Sequence, residues 1–333
     1  MSKYNFKLLK AFSDSLAKLT IDRKIFFLST FLVFFLYPGQ NSLQTLIINP
    51  GRVRTYSIGA IQPSLYPQND GVAIPYTSAR AVIVQDVASK TILYERKPDS
   101  LLMPASITKV MTALVALDYW SDLESVIEVK NEDRAIGQTI ELVKGERITI
   151  NNILYGLLVH SGNDAALAIA DNYCAPSEAD GEVGSCGYSA FVDAMNQKAK
   201  DLHLEHTTFK NPSGVEQYGH LTTARDIAIL ASSAIQNPII AGVVETKRIV
   251  VTDVTGQIVH DLESTNELLG LVPGLKGLKT GWTTNAGECL VSYVDRNGKK
   301  IIVVVLGSND RFGDTRIIVD WAYNHHSWIT PVL

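Results

Sequence analysis

The run Val110-Met111-Thr112-Ala113-Leu114-Val115-Ala116-Leu117 constrains the fold more than any other stretch of the chain. Val110, Met111, Leu114, Val115 and Leu117 recur at helical spacing, with hardly a polar residue between them, so the helix must pass through a core. Just ahead of it stands Met103-Pro104-Ala105-Ser106-Ile107-Thr108-Lys109. Pro104 suits helix entry, where its missing N–H costs nothing. Ser106 then falls in the first turn, and Lys109, three residues on, shares its face. A serine hydroxyl is a poor nucleophile until a base takes its proton. An amine can be that base once burial or nearby positive charge depresses its pKa. The helix N-terminus adds free N–H groups and positive potential beside a developing oxyanion. A capped helix with a solvated lysine would read the same way, so the segment needs company elsewhere.

The chain has 333 residues, 46% hydrophobic and 19% charged, enough for one large domain or two modest ones. A net charge of −4 argues against nucleic acid as the main ligand. Three cysteines are too few for a disulfide-built scaffold. The histidines show no His-Glu-x-x-His or comparable ligand spacing, so neither a metal nor another cofactor is expected. His203 and His206 read as a solvated helix face.

Lys3, Lys7, Lys10, Lys18, Arg23 and Lys24 precede an uncharged apolar run over 25–37. A positive segment before an apolar one reads as an export signal, and the positive-inside bias puts 1–24 in the cytoplasm and the rest outside. The run is short for a spanning helix, which needs about 20 residues. No small-x-small cleavage site follows it, which favours an uncleaved anchor over a removed signal. Pro38, Pro50, Pro63, Pro67 and Pro75, among Gly, Asn and Ser, mark 38–77 as a linker. The expected catalytic domain is 78–326, with 327–333 as a tail.

Within that domain Ala81–Val87 and Thr91–Glu95 read as strands joined across Ala88-Ser89-Lys90. Ile140–Val143 and Arg147–Ile150 are short and β-like. Asn151–Val159 and Ala165–Tyr173 read as helices broken at His160–Asp164. Thr223 and Asp226 have capping-box spacing at the head of another helix. Cys289–Val294 and Lys300–Leu306 are β-prone and joined at Asn297-Gly298, a favoured hairpin turn. A last helix is expected over Thr315–His325. Helices bracketed by early and late strands suggest one mixed sheet whose first and last strands meet. Cys174 and Cys186 flank a polar loop and outside the cytoplasm could pair, although two free thiols fit the sequence as well. Cys289 reads as a small buried hydrophobe.

Two further motifs carry chemistry. Ser161-Gly162-Asn163 sits at a helix break, where a hydroxyl and an amide can relay a proton and hold a substrate amide. Lys279-Thr280-Gly281 precedes Trp282 and offers a cation and a hydroxyl for a carboxylate, with a glycine that lets a substrate backbone come close. Alone, the first could be an ordinary turn and the second a solvated lysine.

Jointly, Ser-x-x-Lys, Ser-x-Asn and Lys-Thr-Gly resemble the motif set of penicillin-binding proteins and serine β-lactamases. The resemblance extends to the low-molecular-mass D-alanyl-D-alanine carboxypeptidases. It is carried by Pro104–Ala113, Ser161–Ala166, Phe209–Gly214, Gly219-His220, Thr223–Asp226 and Gly274–Thr283 with Ala286-Gly287, and spans about residues 78–325. It implies a β-lactamase/transpeptidase-like α/β (α+β) fold, with an antiparallel sheet of N- and C-terminal strands covered by helices and an all-helical subregion. By resemblance Ser106 is the nucleophile and Lys109 its base. Ser161 would shuttle a proton to the leaving D-alanine, and Asn163 would bind the peptide amide. Lys279 and Thr280 would take the terminal carboxylate. The backbone N–H groups of Ser106 and Trp282 would form the oxyanion hole.

The implied partners are stem peptides of peptidoglycan ending in D-Ala-D-Ala, β-lactams as covalent inhibitors, and a membrane reached through the N-terminal segment. Alternatives within the fold are a D,D-endopeptidase and a β-lactamase. The latter is disfavoured because no Glu-x-x-Leu-Asn string lies between the second and third motifs. A catalytically idle peptidoglycan-binding protein is a further alternative, hard to sustain with all three motifs intact. The β-rich second domain and amphipathic C-terminal anchor that family members often carry are not expected in a chain ending at Leu333.

Overall fold

The computed structural model describes residues 65–130, 135–176 and 184–330. The basic and apolar N-terminal segments and most of the linker lie outside these residues. Strand β1 (Tyr66–Asn69) is followed by β2 (Ala81–Asp86) and β3 (Ile92–Arg96). A 3-10 turn over Ala105–Ile107 leads into helix α1 (Thr108–Tyr119). Then come β4 (Val126–Glu128), β5 (Arg147–Thr149), and helices α2 (Ile150–Leu158), α3 (Asn163–Asn172), α4 (Tyr188–Asp201), α5 (Ala224–Ala234) and α6 (Pro238–Val244). A hairpin of β6 (Arg248–Thr252) and β7 (Val259–Glu263) precedes β8 (Leu275–Thr283), β9 (Gly287–Arg296), β10 (Lys299–Ser308), α7 (Arg311–Asn324) and β11 (His326–Ile329).

The main sheet runs β3-β2-β10-β9-β8, and every neighbouring pair in it is antiparallel. The expected meeting of early and late strands is therefore β2 on β10, in an antiparallel rather than a mixed sheet. Tight turns impose that direction. Asn297 and Gly298 take φ values of 56° and 80°, the left-handed pair that a two-residue hairpin turn needs.

Ile301–Leu306 is a continuous apolar run because both faces of its strand are covered. On one face Ile302, Val304 and Leu306 join Ala81 and Ile83 in a core shared with α1, α2, α3 and α5. On the other, Ile301, Val303 and Val305 join Val82 and Val84 beneath Ile318, Val319 and Ala322 of α7. Helix α1 is buried from Thr108 to Ala116, as its apolar run requires.

Several boundaries differ from the sequence reading. Tyr66–Asn69 and His326–Ile329, placed in linker and tail by composition, pair with each other as an antiparallel ladder. Ile140–Val143 is not a strand: the N–H groups of Ile140 and Leu142 go to the Asp164 carboxylate, each at 3.0 Å, instead of to a ladder. Strand β5 pairs with β4, whose three residues carry too little pattern to be foreseen. Helix α7 begins at Arg311 because Asp310 caps it, accepting from the Gly313 N–H at 2.8 Å. Thr223 caps α5 as its spacing predicts. Asp226, however, turns its carboxylate to the His206 N–H (2.8 Å) and the Thr207 hydroxyl (2.7 Å). Cys174 and Cys186 are joined by a disulfide. Cys289 lies buried in β9, and burial pushes its thiol up to about 11.

Asp314 shows how the sheet is tied to its outer helix. Its buried carboxylate accepts from the Ser78 and Ala79 N–H groups (both 3.1 Å) and from the Ser78 and Ser308 hydroxyls (2.7 and 2.6 Å). Asp314→Ala would strand these donors and is expected to cost about 3 kcal/mol, lowering Tm by roughly 6–12 °C. Thermal denaturation followed by circular dichroism checks this, and an unchanged Tm would show that the carboxylate is not the tie.

Candidate active site

Ser106 sits in the 3-10 turn ahead of α1, not in the first turn of the α-helix. Its neighbour Ala105 has a φ of 49°, a left-handed conformation that a residue with a Cβ adopts only when its surroundings enforce it. The surroundings are specific. Thr108 Oγ1 donates to the Ala105 carbonyl at 2.8 Å, and His220 Nε2 lies 3.0 Å from the same hydroxyl. The Thr108 proton being spent on Ala105, His220 donates its own N–H to Thr108. Burial, with the charge of Lys210 behind it, lowers His220 to about 4 and keeps it neutral. Gly214 lies so close that a Cβ there would collide with the Ala105 carbonyl. Gly281 is close too, though less so: a Cβ on it would stand 3.0 Å from both the Ser106 nitrogen and the Ala105 Cβ. The glycine of Lys-Thr-Gly thus admits the protein's own nucleophile turn, a neighbour the sequence reading did not name.

Lys109 is fully buried one turn along. Its Nζ is 2.9 Å from Ser106 Oγ, 2.6 Å from Asn163 Oδ1 and 2.7 Å from the Ser213 carbonyl. The last two partners are acceptors only, so a neutral amine spends both its N–H bonds on them. Its lone pair is then left facing the Ser106 hydroxyl. Burial, reinforced by the positive charge of Lys279 and opposed by Asp164, holds Lys109 well below the ordinary lysine range. The arrangement favours the neutral, basic form of the amine over the charged one.

Ser161 and Asn163 flank the break between α2 and α3. Ser161 is left-handed, with a φ of 67°. Gly162 has no room for a side chain, since a Cβ would stand 2.8 Å from Asp164 Oδ1 and 3.0 Å from Ile140 Cγ2. Asn163 gives its Oδ1 to Lys109 and one Nδ2 proton to the Ile136 carbonyl, while its backbone N–H donates to Gln138 at 2.7 Å. Its remaining Nδ2 proton is available to a substrate carbonyl, which refines the expected contact with a peptide amide.

The third wall is β8, the last strand of its sheet, with one edge unpaired by any other strand. Lys279 is buried, with Nζ 3.2 Å from the Thr280 carbonyl. Burial, then the charge of Arg311, lowers it to about 7. The Thr280 hydroxyl meets Thr265 Oγ1 at 2.6 Å. Ser106, Ser161, Asn163, Thr280, Gly281 and Trp282 all line one cleft of about 490 Å³, and Lys109 and Lys279 lie beneath its floor. Among the described residues no cluster of His, Cys, Asp and Glu is placed to hold a metal ion.

The sequence reading missed Arg311 and Thr265, which line the same cleft. Arg311 donates to the Gly281 carbonyl at 3.1 Å, and its Nε is buried with no hydrogen-bond partner among the described residues. No local pattern distinguishes either residue, and only the fold brings α7 to the end of β8.

The sequence profile described as D-alanyl-D-alanine carboxypeptidase, Peptidase_S11, matches residues 68–310. The chain belongs to that family. It is 30% identical over 275 residues to the D-alanyl-D-alanine carboxypeptidase DacF of Bacillus subtilis, covering 79% of this chain and 67% of that one. Among solved structures it resembles the Streptomyces K15 DD-transpeptidase, with a TM-score of 0.68 and 30% identity over 76% of this chain and all (100%) of the other. It also resembles penicillin-binding protein D2 of Listeria monocytogenes in its ampicillin-bound form, with a TM-score of 0.63 and 29% identity over 76% and 100% of the two chains.

The contact at Gly281 gives a direct check on how the family motif works here. Gly281→Ala is expected to shift the Ser106 turn from β8 by a few tenths of an ångström and lower kcat/KM by up to about tenfold, with the fold retained. Kinetics and circular dichroism on the purified variant would measure both, and an unimpaired enzyme would show that the turn tolerates the displacement.

Proposed function

We propose that the protein removes the terminal D-alanine from peptidoglycan stem peptides through a Ser106 acyl-enzyme. The observation that carries this reading is the buried Lys109 amine within hydrogen-bond reach of Ser106 Oγ, Asn163 Oδ1 and the Ser213 carbonyl. Lys109 takes the hydroxyl proton as Oγ attacks the carbonyl carbon of the penultimate D-alanine. The oxyanion forms within reach of the Ser106 and Trp282 N–H groups. The C–N bond then breaks, and the departing amine receives a proton by way of Ser161. Water hydrolyses the ester and restores the Ser106 hydroxyl. The substrate's free carboxylate is received by Thr280 and Arg311, with the charge of Lys279 beneath them.

A β-lactam presents an amide carbonyl and a carboxylate to the same groups, and its ring keeps the leaving nitrogen tethered, so it is expected to remain on Ser106. The ampicillin-bound relative supports this part of the reading. The basic and apolar segments over 1–37, together with a disulfide in the domain, support a place on the outer face of the cytoplasmic membrane, held by the N-terminal segment.

Intact-mass measurement after benzylpenicillin should show one adduct on the wild type and none on Ser106→Ala, which should also lose D-alanine release. Labelling that survives in the variant would place the nucleophile elsewhere. Cleavage of cross-linked dimers in preference to pentapeptides would indicate an endopeptidase, and rapid turnover of the adduct a β-lactamase.

The pH profile follows from the two lysines. Protonation of Lys109 removes the lone pair, so activity falls on the acid side for every substrate. Lys279, near 7 in the free protein, loses its charge as pH rises. For carboxylate-bearing peptides kcat/KM should therefore fall above about 7, and more steeply than for a small ester without the carboxylate. Identical alkaline limbs for both would mean that Lys279 does not serve the carboxylate.

A further inference from the structure

Behind the Ser161–Asn163 wall lies a buried ion pair that the reaction does not touch. His260 of β7 and Glu146, just before β5, have side chains 4% and 0% exposed, with Nε2 to Oε1 at 2.7 Å. The other ring nitrogen, Nδ1, lies 2.8 Å from the Ile140 carbonyl. Both partners are acceptors, so His260 satisfies them together only as an imidazolium with two N–H donors. Glu146 uses its second oxygen to hold the Val143 N–H at 3.0 Å.

This pair grips the segment that forms one side of the cleft. Ile140 is fixed at its carbonyl by His260 and at its N–H by Asp164. The residues just before it, Ile136 and Gln138, line the cleft and accept from the Asn163 side chain and backbone. Asn163 in turn accepts from Lys109. A continuous path therefore runs from the buried pair through the 136–140 segment to the amide that orients the base.

We infer that the His260–Glu146 pair is a positioning element of the active site, holding residues 136–142, and through them the Asn163 amide, in the geometry that Lys109 and the substrate carbonyl need. The inference rests on the carboxypeptidase reading for the identity of the substrate but not for the grip itself. Charge makes it pH-sensitive. Glu146 faces His260 from the loop before β5 and Asp164 from α3, while Asp261 and Glu263 of its own strand lie on the exposed face of β7. The Glu146 hydrogen bond, opposed by burial and helped by Asp164, raises the His260 pKa. A raised folded-state pKa means that the grip is complete at low pH and is lost as pH rises through that value. A neutral imidazole then has one N–H for two acceptors.

The test uses the described domain within the full chain and two variants, His260→Gln and Glu146→Gln. Both are expected to lower kcat on a D-Ala-D-Ala peptide and the acylation rate by benzylpenicillin by roughly ten- to hundredfold. KM should change little, and amide hydrogen exchange over 136–142 should quicken. Faster exchange with unchanged acylation would make the pair merely structural and overturn the proposal, as would wild-type behaviour on both readouts. If the variants do not fold, nitrogen-15 NMR of histidine-labelled wild type decides. Benzylpenicillin acylation that weakens as His260 loses its second proton supports the proposal, and acylation indifferent to that proton overturns it. A wild type that acylates but never releases D-alanine would count against the carboxypeptidase reading alone.

Discussion

A lysine amine with no water around it is the constraint on which this structure depends. Charged, Lys109 would be costly to bury, and the nearest carboxylate that acts on it, Asp164, is committed to the Ile140, Leu142 and Ala165 N–H groups. The fold resolves this by supplying two neutral acceptors from different segments, Asn163 and the Ser213 carbonyl, and by leaving the third direction to Ser106. Stability and reactivity have the same source here. The environment that makes the ammonium unfavourable also makes the amine a base, and each acceptor that orients it belongs to a wall of the cleft.

Three separated stretches of chain must therefore meet within hydrogen-bond tolerance, and glycines set how closely. Gly214 and Gly281 bring the 212–215 loop and β8 against the turn that carries Ser106, while Gly162 lets α3 start against Ile140. Each is a point where a single methyl group would move a reacting atom. The left-handed Ala105 and Ser161 lie beside those contacts. At Ala105 that conformation is held by the Thr108 hydroxyl and by the close approach of Gly214 and Gly281.

Much of this was legible in the sequence because it is local. The helix after Ser106, the β9–β10 hairpin at Asn297-Gly298 and the three motifs all announce themselves within a few residues, by periodicity or by turn chemistry. What was hidden is what only distance in the chain creates. Arg311 carries no motif and becomes part of the cleft because α7 returns to the end of β8. Ile140–Val143 has strand-like composition, yet Asp164 takes the N–H groups that a ladder would have used. Tyr66–Asn69 reads as linker because its pairing partner is at the opposite end of the chain. At Gly281 the sequence did not show the close approach of the Ser106 turn, since nothing in Lys-Thr-Gly names the protein's own backbone as a neighbour.

The central ladder of the sheet joins residues 81–86 to residues 301–306, and the segments that bear Ser106, Ser161 and Lys279 all lie between them. A polypeptide emerging from its N-terminus thus delivers nucleophile, base and carboxylate anchor before the strand that clamps them together. Without β10, those parts have no common floor. The site is therefore complete only once the sheet has closed.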